Sequence, residues 1–250
     1  MSGSNKTFCD DMRKATKEIH AISDALVNAK LALGLHNNKI WADGLLIFYE
    51  IFKFLEESID KKIHSKIECF KFLYDLKRSQ AIQDDLNYYL NKDWLKSYSP
   101  RPAVIKYIDH LKKLKNDNPI LIIAYIYHLY MGLLSGGIIL RKKRQLVKKL
   151  MIFNTGDNDK LEGNRVTDFG ELSIYELKKK LRKTMNEVAD DLDDDVKQSL
   201  IEESKQVFIL NNQVIQSVQG VNAVIFKKFI PIIIFIIALV ILLYIFRNKI

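Results

Sequence analysis

A histidine followed one helical turn later by an aspartate is the residue pair in this sequence best suited to hold a metal. His20 lies in the segment MRKATKEIHAISD, and Asp24 follows four residues on, so both face the same side of a helix. A carboxylate that bonds to one ring nitrogen fixes the tautomer and leaves the other nitrogen free for an axial iron. The spacing equally suits an exposed histidine beside a helical acid, so both interpretations stay open.

A second unusual stretch is YMGLLSGGIILRKK, which has helical character but contains Gly132, Gly136 and Gly137. Each glycine inside a helix costs about 1 kcal/mol relative to alanine, so their presence needs a reason. The spacing of Gly132 and Gly136 is the small-xxx-small pattern that lets two helices pack closely. Alternatively, bare backbone leaves room for a flat, bulky group, over which Gly136 and Gly137 let the helix bend. The sequence fits both explanations.

Positive charge is concentrated in two runs, RKKRQLVKK at residues 141–149 and KKKLRK at residues 178–183. With a net charge of +9, these runs suit an anionic ligand, anionic lipid, an acidic protein or a solvated face. Nucleic acid is not expected as a partner, because no nucleic-acid-binding motif is present. Phosphate-loop, dinucleotide, CxxC and HExxH motifs are also missing, and Cys9 and Cys69 are too isolated to form a metal cluster.

The surrounding pattern predicts an all-α protein with one main domain. The chain has 250 residues, 48% of them hydrophobic, and apolar residues recur at helical spacing. Pro100 and Pro102 predict a break, and the segment from Asn154 to Ser173 predicts a mobile loop. Helices are predicted to begin near Cys9, with Asp10 or Asp11 as cap, near Trp41 and at Pro119, and a single helix is predicted over residues 66–90. The last predicted helix runs from about Ile174 to about Val214, with an interruption at DDLDDD.

The C-terminal segment FIPIIIFIIALVILLYIF, residues 229–246, predicts a transmembrane helix. It carries no charge, and as a helix it would span about 27 Å, close to the hydrocarbon thickness of a thin bilayer. The alternative is a buried core helix. We expect residues 225–250 to be a tail anchor in the endoplasmic reticulum membrane, with the preceding domain in the cytosol. The mitochondrial outer membrane is the alternative destination, since Arg247 and Lys249 follow the span.

Four segments, in the expected order, resemble haem oxygenases of the eukaryotic tail-anchored form. They are MRKATKEIHAISD with His20, RSQAIQDDL at residues 78–86, YMGLLSGG at residues 130–137 and IEESKQVFILN at residues 201–211. The resemblance covers roughly residues 12–220, and its basic and aromatic character is closest to insect members. It implies a helical haem oxygenase domain over residues 1–224, with haem between a proximal helix and a kinked distal helix.

The resemblance also implies a role for individual residues, because haem is both substrate and prosthetic group in this family. His20 matches the axial iron ligand, and Asp24 the acid beside it. Gly132 and Gly136 match the distal glycines, where side chains would occupy the volume of the macrocycle. Residues matched to the partners of the haem propionates are Arg13, Lys17, Tyr127, Lys178 and Arg182, and those matched to the pocket wall and its water network are Phe208 and Asn211.

The implied reaction is oxidative cleavage of haem to biliverdin, carbon monoxide and ferrous iron by O2. Electrons come from NADPH through a membrane-bound NADPH–cytochrome P450 reductase, and the iron carries the chemistry. The chain departs from the family at three distal positions. Leu133 replaces an aspartate of the better-known members, and Phe52 and Leu129 replace polar residues, so we expect a thinner distal water network, slow turnover and a mixture of biliverdin isomers.

Two other functions remain open from the sequence. A tail-anchored protein that binds or sequesters haem with little oxygenase turnover would use the same histidine, glycines and basic residues. A tail-anchored adaptor would need none of them and would fail to take up haem.

Overall fold

The structure is a computed structural model that describes residues 6–32, 37–151 and 163–221, together with residues 230, 235 and 236. These residues form helices and no strand, which confirms the all-α prediction. The α-helices are α1 (Phe8–Ala32), α2 (Asn38–Asp60), α3 (Ser65–Glu68), α4 (Arg78–Leu90), α5 (Trp94–Ser97), α6 (Pro102–Asp117), α7 (Ile122–Gly132), α8 (Ile138–Met151), α9 (Ile174–Asp190) and α10 (Asp194–Gln216). Short 3₁₀-helices span Lys71–Leu76, Pro119–Leu121 and Arg165–Thr167, and a π-helical turn at Leu133–Gly137 joins α7 to α8.

Helix α7 is the centre of the fold. Its residues Ile122 to Ile126 are fully buried, and it packs against α9 and α10. Helix α1 lies along α10, and α2 lies along α4. Because α7 is covered on every side at its start, its sequence is apolar without the periodicity of a surface helix. This arrangement leaves the C-terminal end of α7, with the glycines, facing α1.

The first helix begins earlier than the sequence predicts. Helix α1 starts at Phe8, so Asp10 and Asp11 lie in its first turn and neither is the N-cap residue. The Asp10 carboxylate instead accepts hydrogen bonds from the backbone N–H of Thr7 at 3.1 Å and from its hydroxyl at 2.9 Å. Asp10 therefore caps the helix from its third position, where its negative charge also interacts favourably with the positive end of the helix dipole.

The long helix predicted from Lys66 to Leu90 is wrong as a single element. The structure divides it into α3, a 3₁₀-helix and α4, with Lys77 in an extended conformation between the last two. The start of α4 is held by Glu56 of α2, whose carboxylate accepts hydrogen bonds from the backbone N–H groups of Arg78 and Ser79. A carboxylate from another helix thus accepts hydrogen bonds from the free N–H groups of the first turn, which a capping side chain next to the helix would otherwise accept.

The loop predicted over residues 154–173 is described from Gly163 onward, and this half is tied to α4. The Asp85 carboxylate accepts hydrogen bonds from the backbone N–H groups of Arg165 and Val166, at 2.8 and 2.9 Å. The Arg78 guanidinium donates to the carbonyl oxygens of Val166 and Asp168, at 3.2 and 2.8 Å. These bonds hold the 3₁₀-helix of the loop against the core. Residues 154–162 lie outside the described residues, and so does the boundary at residue 224.

The predicted membrane span at residues 229–246 also lies outside the described residues, apart from residues 230, 235 and 236. Within the described part of the chain, only the continuous helix Pro119–Val147 is long and apolar enough to cross a bilayer. Half of its most apolar stretch is buried inside the protein. That helix contains α7, so its apolarity follows from its central place in the core.

Candidate functional site

A cavity of about 990 Å³ separates α1 from the glycine-containing end of α7 and the start of α8. Its volume is at the upper end of the range of about 300–1,000 Å³ that is typical of small-molecule sites. Residues from α2, α9 and α10 complete its walls. All but one of the predicted site residues line it, namely Arg13, Lys17, His20, Tyr127, Gly132, Leu133, Gly136, Arg182, Phe208 and Asn211.

His20 projects from α1 into this cavity and is held by Asp24. The Nδ1 atom of His20 lies 3.1 Å from a carboxylate oxygen of Asp24, the contact that their spacing predicts. Both residues line the cavity, so the pair is part of a ligand site and not an isolated surface contact. With Nδ1–H donated to Asp24, Nε2 is the ring nitrogen that remains free to bind a metal.

The glycines open the opposite wall. A Cβ atom built on Gly132 or on Gly136 would meet no atom of the described residues within 4 Å. The two glycines therefore do not serve a close contact between helices, which was one of the two explanations left open by the sequence. They leave empty volume above α1, and the π-helical turn at Leu133–Gly137 lies within this stretch, as such turns often do at functional sites.

Gly137 has a different surrounding. A Cβ atom there would lie 2.9 Å from the Leu133 side chain and 3.6 Å from the methyl group of Thr167. Leu133 is thus packed over the π-helical turn, and it lines the cavity with Phe52 and Leu129, both of which are buried. The three positions at which the chain departs from the family form an apolar part of the wall, as the sequence predicts.

Positive charge gathers where the first half of α1 faces α9. Arg13 and Lys17 from α1 and Arg182 from α9 line the cavity together with the hydroxyl-bearing ring of Tyr127. Burial raises the pKa of Tyr127, and contact with the Cys9 thiol adds to this, while Arg182 opposes it. The phenol therefore remains protonated at neutral pH and can donate a hydrogen bond to an anionic group.

Lys178 is the predicted site residue that does not line the cavity. It lies on α9 one turn before Arg182, and the cavity is reached by Arg182 and, one turn further on, by Asn186. Lys178 therefore lies on the same face of α9 as Arg182 but one turn, about 5.4 Å, short of the cavity, and its role toward a propionate stays a prediction.

Helix α10 supplies the wall beside His20. The Phe208 ring lies 5.2 Å from the His20 ring, measured between centroids. Three residues further on, the side-chain oxygen of Asn211 accepts a hydrogen bond from the Tyr107 hydroxyl at 3.0 Å. This bond fixes the Asn211 amide, whose nitrogen keeps its donor capacity for water or ligand in the cavity. No pattern in the sequence indicates Tyr107, because its partner lies more than one hundred residues away.

A residue not predicted from the sequence, His128, also lines the cavity, from α7. Its ring lies 5.2 Å from that of Phe208, on which His20 also packs. Burial, followed by the nearby His20, lowers the pKa of His128 to about 3, so its imidazole is neutral at pH 7. One signal was available in the sequence, since His128, Gly132 and Gly136 recur every four residues and share one helix face.

These groups fit haem better than a free metal ion. Among the described residues, no group of three or more His, Cys, Asp or Glu side chains could hold a metal ion. A single imidazole, His20, suits an iron atom whose other ligands belong to a macrocycle. The bare backbone at Gly132 and Gly136 provides a flat space opposite it, and the cationic side of the cavity matches carboxylate substituents.

Comparison with known proteins supports the same assignment. The family model described as "Heme oxygenase" matches residues 6–217. The chain is 29% identical to heme oxygenase 1 of Homo sapiens over 214 residues, which is 83% of this chain and 70% of the human protein. It is 30% identical to heme oxygenase 1 of Gallus gallus, over 83% of this chain and 68% of that protein.

Solved structures show the same fold. The heme oxygenase of Leptospira interrogans superimposes with a TM-score of 0.72 at 25% identity, over 84% of this chain and 99% of that one. Heme oxygenase-1 of a Synechocystis species, solved in complex with heme, gives a TM-score of 0.73 at 23% identity, over 92% and 98% of the two chains. The chain therefore belongs to the haem oxygenase family and is a haem-degrading oxidoreductase.

Proposed function

We propose that haem binds in the cavity with its iron on His20, and that the products are biliverdin, carbon monoxide and ferrous iron. The observation that carries this proposal is that one cavity unites the free ring nitrogen of His20 with the bare backbone of Gly132 and Gly136. Bound haem supplies the iron at which O2 is activated and is itself the molecule that is cleaved.

His20 binds and orients the haem. Its contact with Asp24, at 3.1 Å, holds the ring on the α1 face and directs Nε2 away from the helix acid. Phe208 packs on the ring at 5.2 Å and limits its rotation. A carboxylate partner also increases the basicity of a ligating imidazole, which strengthens its bond to iron.

The cationic side of the cavity orients the haem in its plane. Arg13, Lys17 and Arg182 provide the positive charge that two propionates require, and the protonated phenol of Tyr127 adds a hydrogen-bond donor. Contacts between charged groups of this kind are worth about 1.5–3 kcal/mol each where they are shielded from water. They determine which edge of the macrocycle faces the cationic side and therefore which carbons face the protein interior.

The distal wall excludes water more than it organises it. Leu133, Phe52 and Leu129 present no hydrogen-bonding side chain to the cavity, and Ser135 of the π-helical turn is a polar residue beside them. A loss of one charge-assisted contact in the transition state is worth about 1.5–3 kcal/mol, or about ten- to a hundredfold in rate. We therefore expect slow turnover and weak selectivity among the four meso carbons.

The electron donor is proposed to be NADPH acting through NADPH–cytochrome P450 reductase, and O2 is the second substrate. The resemblance to tail-anchored haem oxygenases supports this choice, as do the basic runs at residues 141–149 and 178–183, which suit an acidic partner. The apolar segment at residues 229–246 supports anchorage in the endoplasmic reticulum membrane, where the reductase would share the bilayer.

A reconstituted reaction tests the proposed function. A fragment of residues 1–224 is mixed with hemin, and reductase and NADPH are then added. We expect a Soret band of a one-to-one complex, followed by its loss and the formation of biliverdin, detected by chromatography, and carbon monoxide. A stable complex without biliverdin would favour the haem-sequestering alternative. No observation on this chain supports that alternative.

The membrane location has its own test. A fluorescent protein fused to the N-terminus should mark the endoplasmic reticulum, and removal of residues 225–250 should release the fusion into the cytosol. Fluorescence that coincides only with a mitochondrial marker would favour the outer mitochondrial membrane instead.

A further inference from the structure

Asn186 of α9 is a cavity residue that the proposed function leaves without a role. It lies one turn after Arg182 on the same face of the helix, and both residues line the cavity. The side-chain oxygen of Asn186 accepts a hydrogen bond from the backbone N–H of Cys9 at 3.0 Å. Cys9 is the second residue of α1, so this N–H group has no partner within its own helix. Asn186 therefore caps α1 from another helix.

The bond to Cys9 determines which atom of the Asn186 amide is left for a ligand. An N–H group needs an acceptor, so the amide oxygen faces α1 and the nitrogen keeps its two N–H groups. This nitrogen donates no hydrogen bond within the described part of the chain. It is not among the buried polar atoms without a partner, although the residue is only partly exposed. The nitrogen is therefore accessible, on a side chain that lines the cavity.

The start of α1 is tied to α9 at a second point, beside the same cationic residue. The Cys9 thiol lies 3.7 Å from the carbonyl oxygen of Arg182, to which it donates a weak hydrogen bond. His20 follows about three turns later on the face of α1 that Cys9 and Arg13 share, and all three line the cavity. A group bound between α9 and the first turn of α1 therefore lies against the helix that carries the proposed iron ligand.

We propose that Asn186 is a further haem-binding residue, whose amide nitrogen donates a hydrogen bond to a carboxylate of haem while its oxygen holds the start of α1. The inference rests on the proposed function, because it requires haem in the cavity. A carboxylate accepts hydrogen bonds from several donors, so Asn186 acts beside Arg182 and does not replace it. One planar amide makes both bonds, so the substrate carboxylate and the helix that carries His20 take a fixed position relative to each other.

A helix cap and a carboxylate donor respond differently to the charge of the ligand. If Asn186 only caps α1, its loss weakens the binding of every porphyrin by the same factor. If it also donates to a carboxylate, its loss weakens hemin more than hemin dimethyl ester, because hydrogen bonds to a charged acceptor are about twice as strong as those to a neutral one. The comparison of the two ligands therefore separates the two roles.

Titrations of hemin and hemin dimethyl ester, followed at the Soret band, test the proposal. The proteins are the unsubstituted chain, Asn186→Ala, Asn186→Asp and the matched control Asn37→Ala. Asn37 is the N-cap residue of α2, where its side chain accepts hydrogen bonds from the backbone N–H groups of Lys39 and Ile40, and it does not line the cavity. Its replacement removes a helix cap but no cavity side chain. The melting temperature without haem is measured for each protein.

We expect Asn186→Ala to raise the dissociation constant of hemin about tenfold and that of the dimethyl ester at most about threefold. Asn186→Asp keeps an oxygen for Cys9 and replaces the donor with a negative charge. It should therefore keep the melting temperature and weaken hemin by more than about tenfold, with a much smaller effect on the ester. This variant carries the test if Asn186→Ala folds poorly. Asn37→Ala should lower the melting temperature and bind both ligands as the unsubstituted chain does.

Three results would overturn the proposal, and they are distinguishable. Equal weakening of hemin and its ester by both Asn186 variants would mean that Asn186 is only a cap of α1. Unchanged hemin affinity in both variants would mean that the haem carboxylates lie out of reach of the amide. If the unsubstituted chain gives no Soret band with hemin, the proposed function itself fails, and this inference fails with it.

Discussion

Replacement of Gly132 by alanine should stabilise the protein while it weakens haem binding. Gly132 has ordinary helical torsion angles, φ −61° and ψ −44°, so alanine adopts them without strain. Its Cβ would meet no described atom within 4 Å. Alanine is favoured over glycine inside a helix by about 1 kcal/mol, and for a domain of this size that raises the melting temperature by about 2–4 °C.

The effect on haem has the opposite sign, because the volume that is empty without haem is the volume proposed for the macrocycle. Inserting a methyl group into a filled site typically costs about 1–3 kcal/mol. The dissociation constant for hemin should therefore increase about 5- to 150-fold. Thermal unfolding without haem, followed by circular dichroism, measures the first effect, and hemin titration followed at the Soret band measures the second.

Gly170→Ala is the matched control. Gly170 also has open space around it, but its φ is +58°, so alanine there is strained, and the residue is outside the cavity. This variant should be less stable, with unchanged hemin affinity. If Gly132→Ala binds hemin as tightly as the unsubstituted chain, haem does not lie against this backbone. If Gly132→Ala lowers the melting temperature without haem, the space beside Gly132 is not open.

Three further predictions follow from other parts of the cavity and its supports. Leu133→Asp should raise turnover by up to about tenfold, or narrow the mixture of biliverdin isomers, because a carboxylate can hold water in the distal wall; chromatography of the isomers measures this. Arg182→Ala should weaken hemin binding by roughly tenfold in a salt-dependent way, whereas Lys178→Ala should not, because only Arg182 lines the cavity. Burial raises the pKa of Asp85 to about 6. Between about pH 4 and pH 6 the Asp85 carboxyl therefore keeps its proton in the folded state and has lost it in the unfolded state. The contribution of Asp85 to the free energy of unfolding falls as the pH rises through this window. The free energy of unfolding relative to Asp85→Asn should therefore be greater at pH 5 than at pH 7.5 by about 1 kcal/mol, measured by urea denaturation.

Each of these predictions has a result that contradicts it. A single isomer formed at an ordinary rate by the unsubstituted chain would mean that Leu133 is compensated, with Asn211 the first candidate. Equal losses from Arg182→Ala and Lys178→Ala would mean that net charge alone controls hemin affinity. A pH profile that is parallel for the unsubstituted chain and Asp85→Asn would show that the Asp85 carboxyl is already ionised at pH 5.

Features that depend on neighbours along one helix could be predicted from the sequence alone. The spacing of His20 and Asp24 predicts a contact that the structure shows at 3.1 Å, because residues four apart on a helix always share a face. The break predicted at Pro100 and Pro102 lies between α5 and α6, and the interruption predicted at the acidic run lies between α9 and α10. The continuous helix that contains the glycines begins at Pro119, as predicted, because proline acts on the backbone locally. The resemblance to haem oxygenases added the candidate site residues, and the roles of His20, Phe208 and Asn211 in haem binding stay predictions.

Features that depend on how the helices pack could not be predicted from the sequence. The spacing of Gly132 and Gly136 fits both a helix contact and a ligand space, and the empty volume beside them distinguishes the two. Glu56 holds the start of α4 from another helix, so no local signal could predict that the segment from Lys66 to Leu90 is broken. His128 was not predicted as a cavity residue, because the ring that it contacts, Phe208, lies on α10 and only packing of α7 on α10 brings the two together. The physical reason is the same in each case. Spacing along the chain determines which residues share a face of a helix. Which other helix that face packs against depends on the burial of apolar side chains from segments that are distant in the sequence.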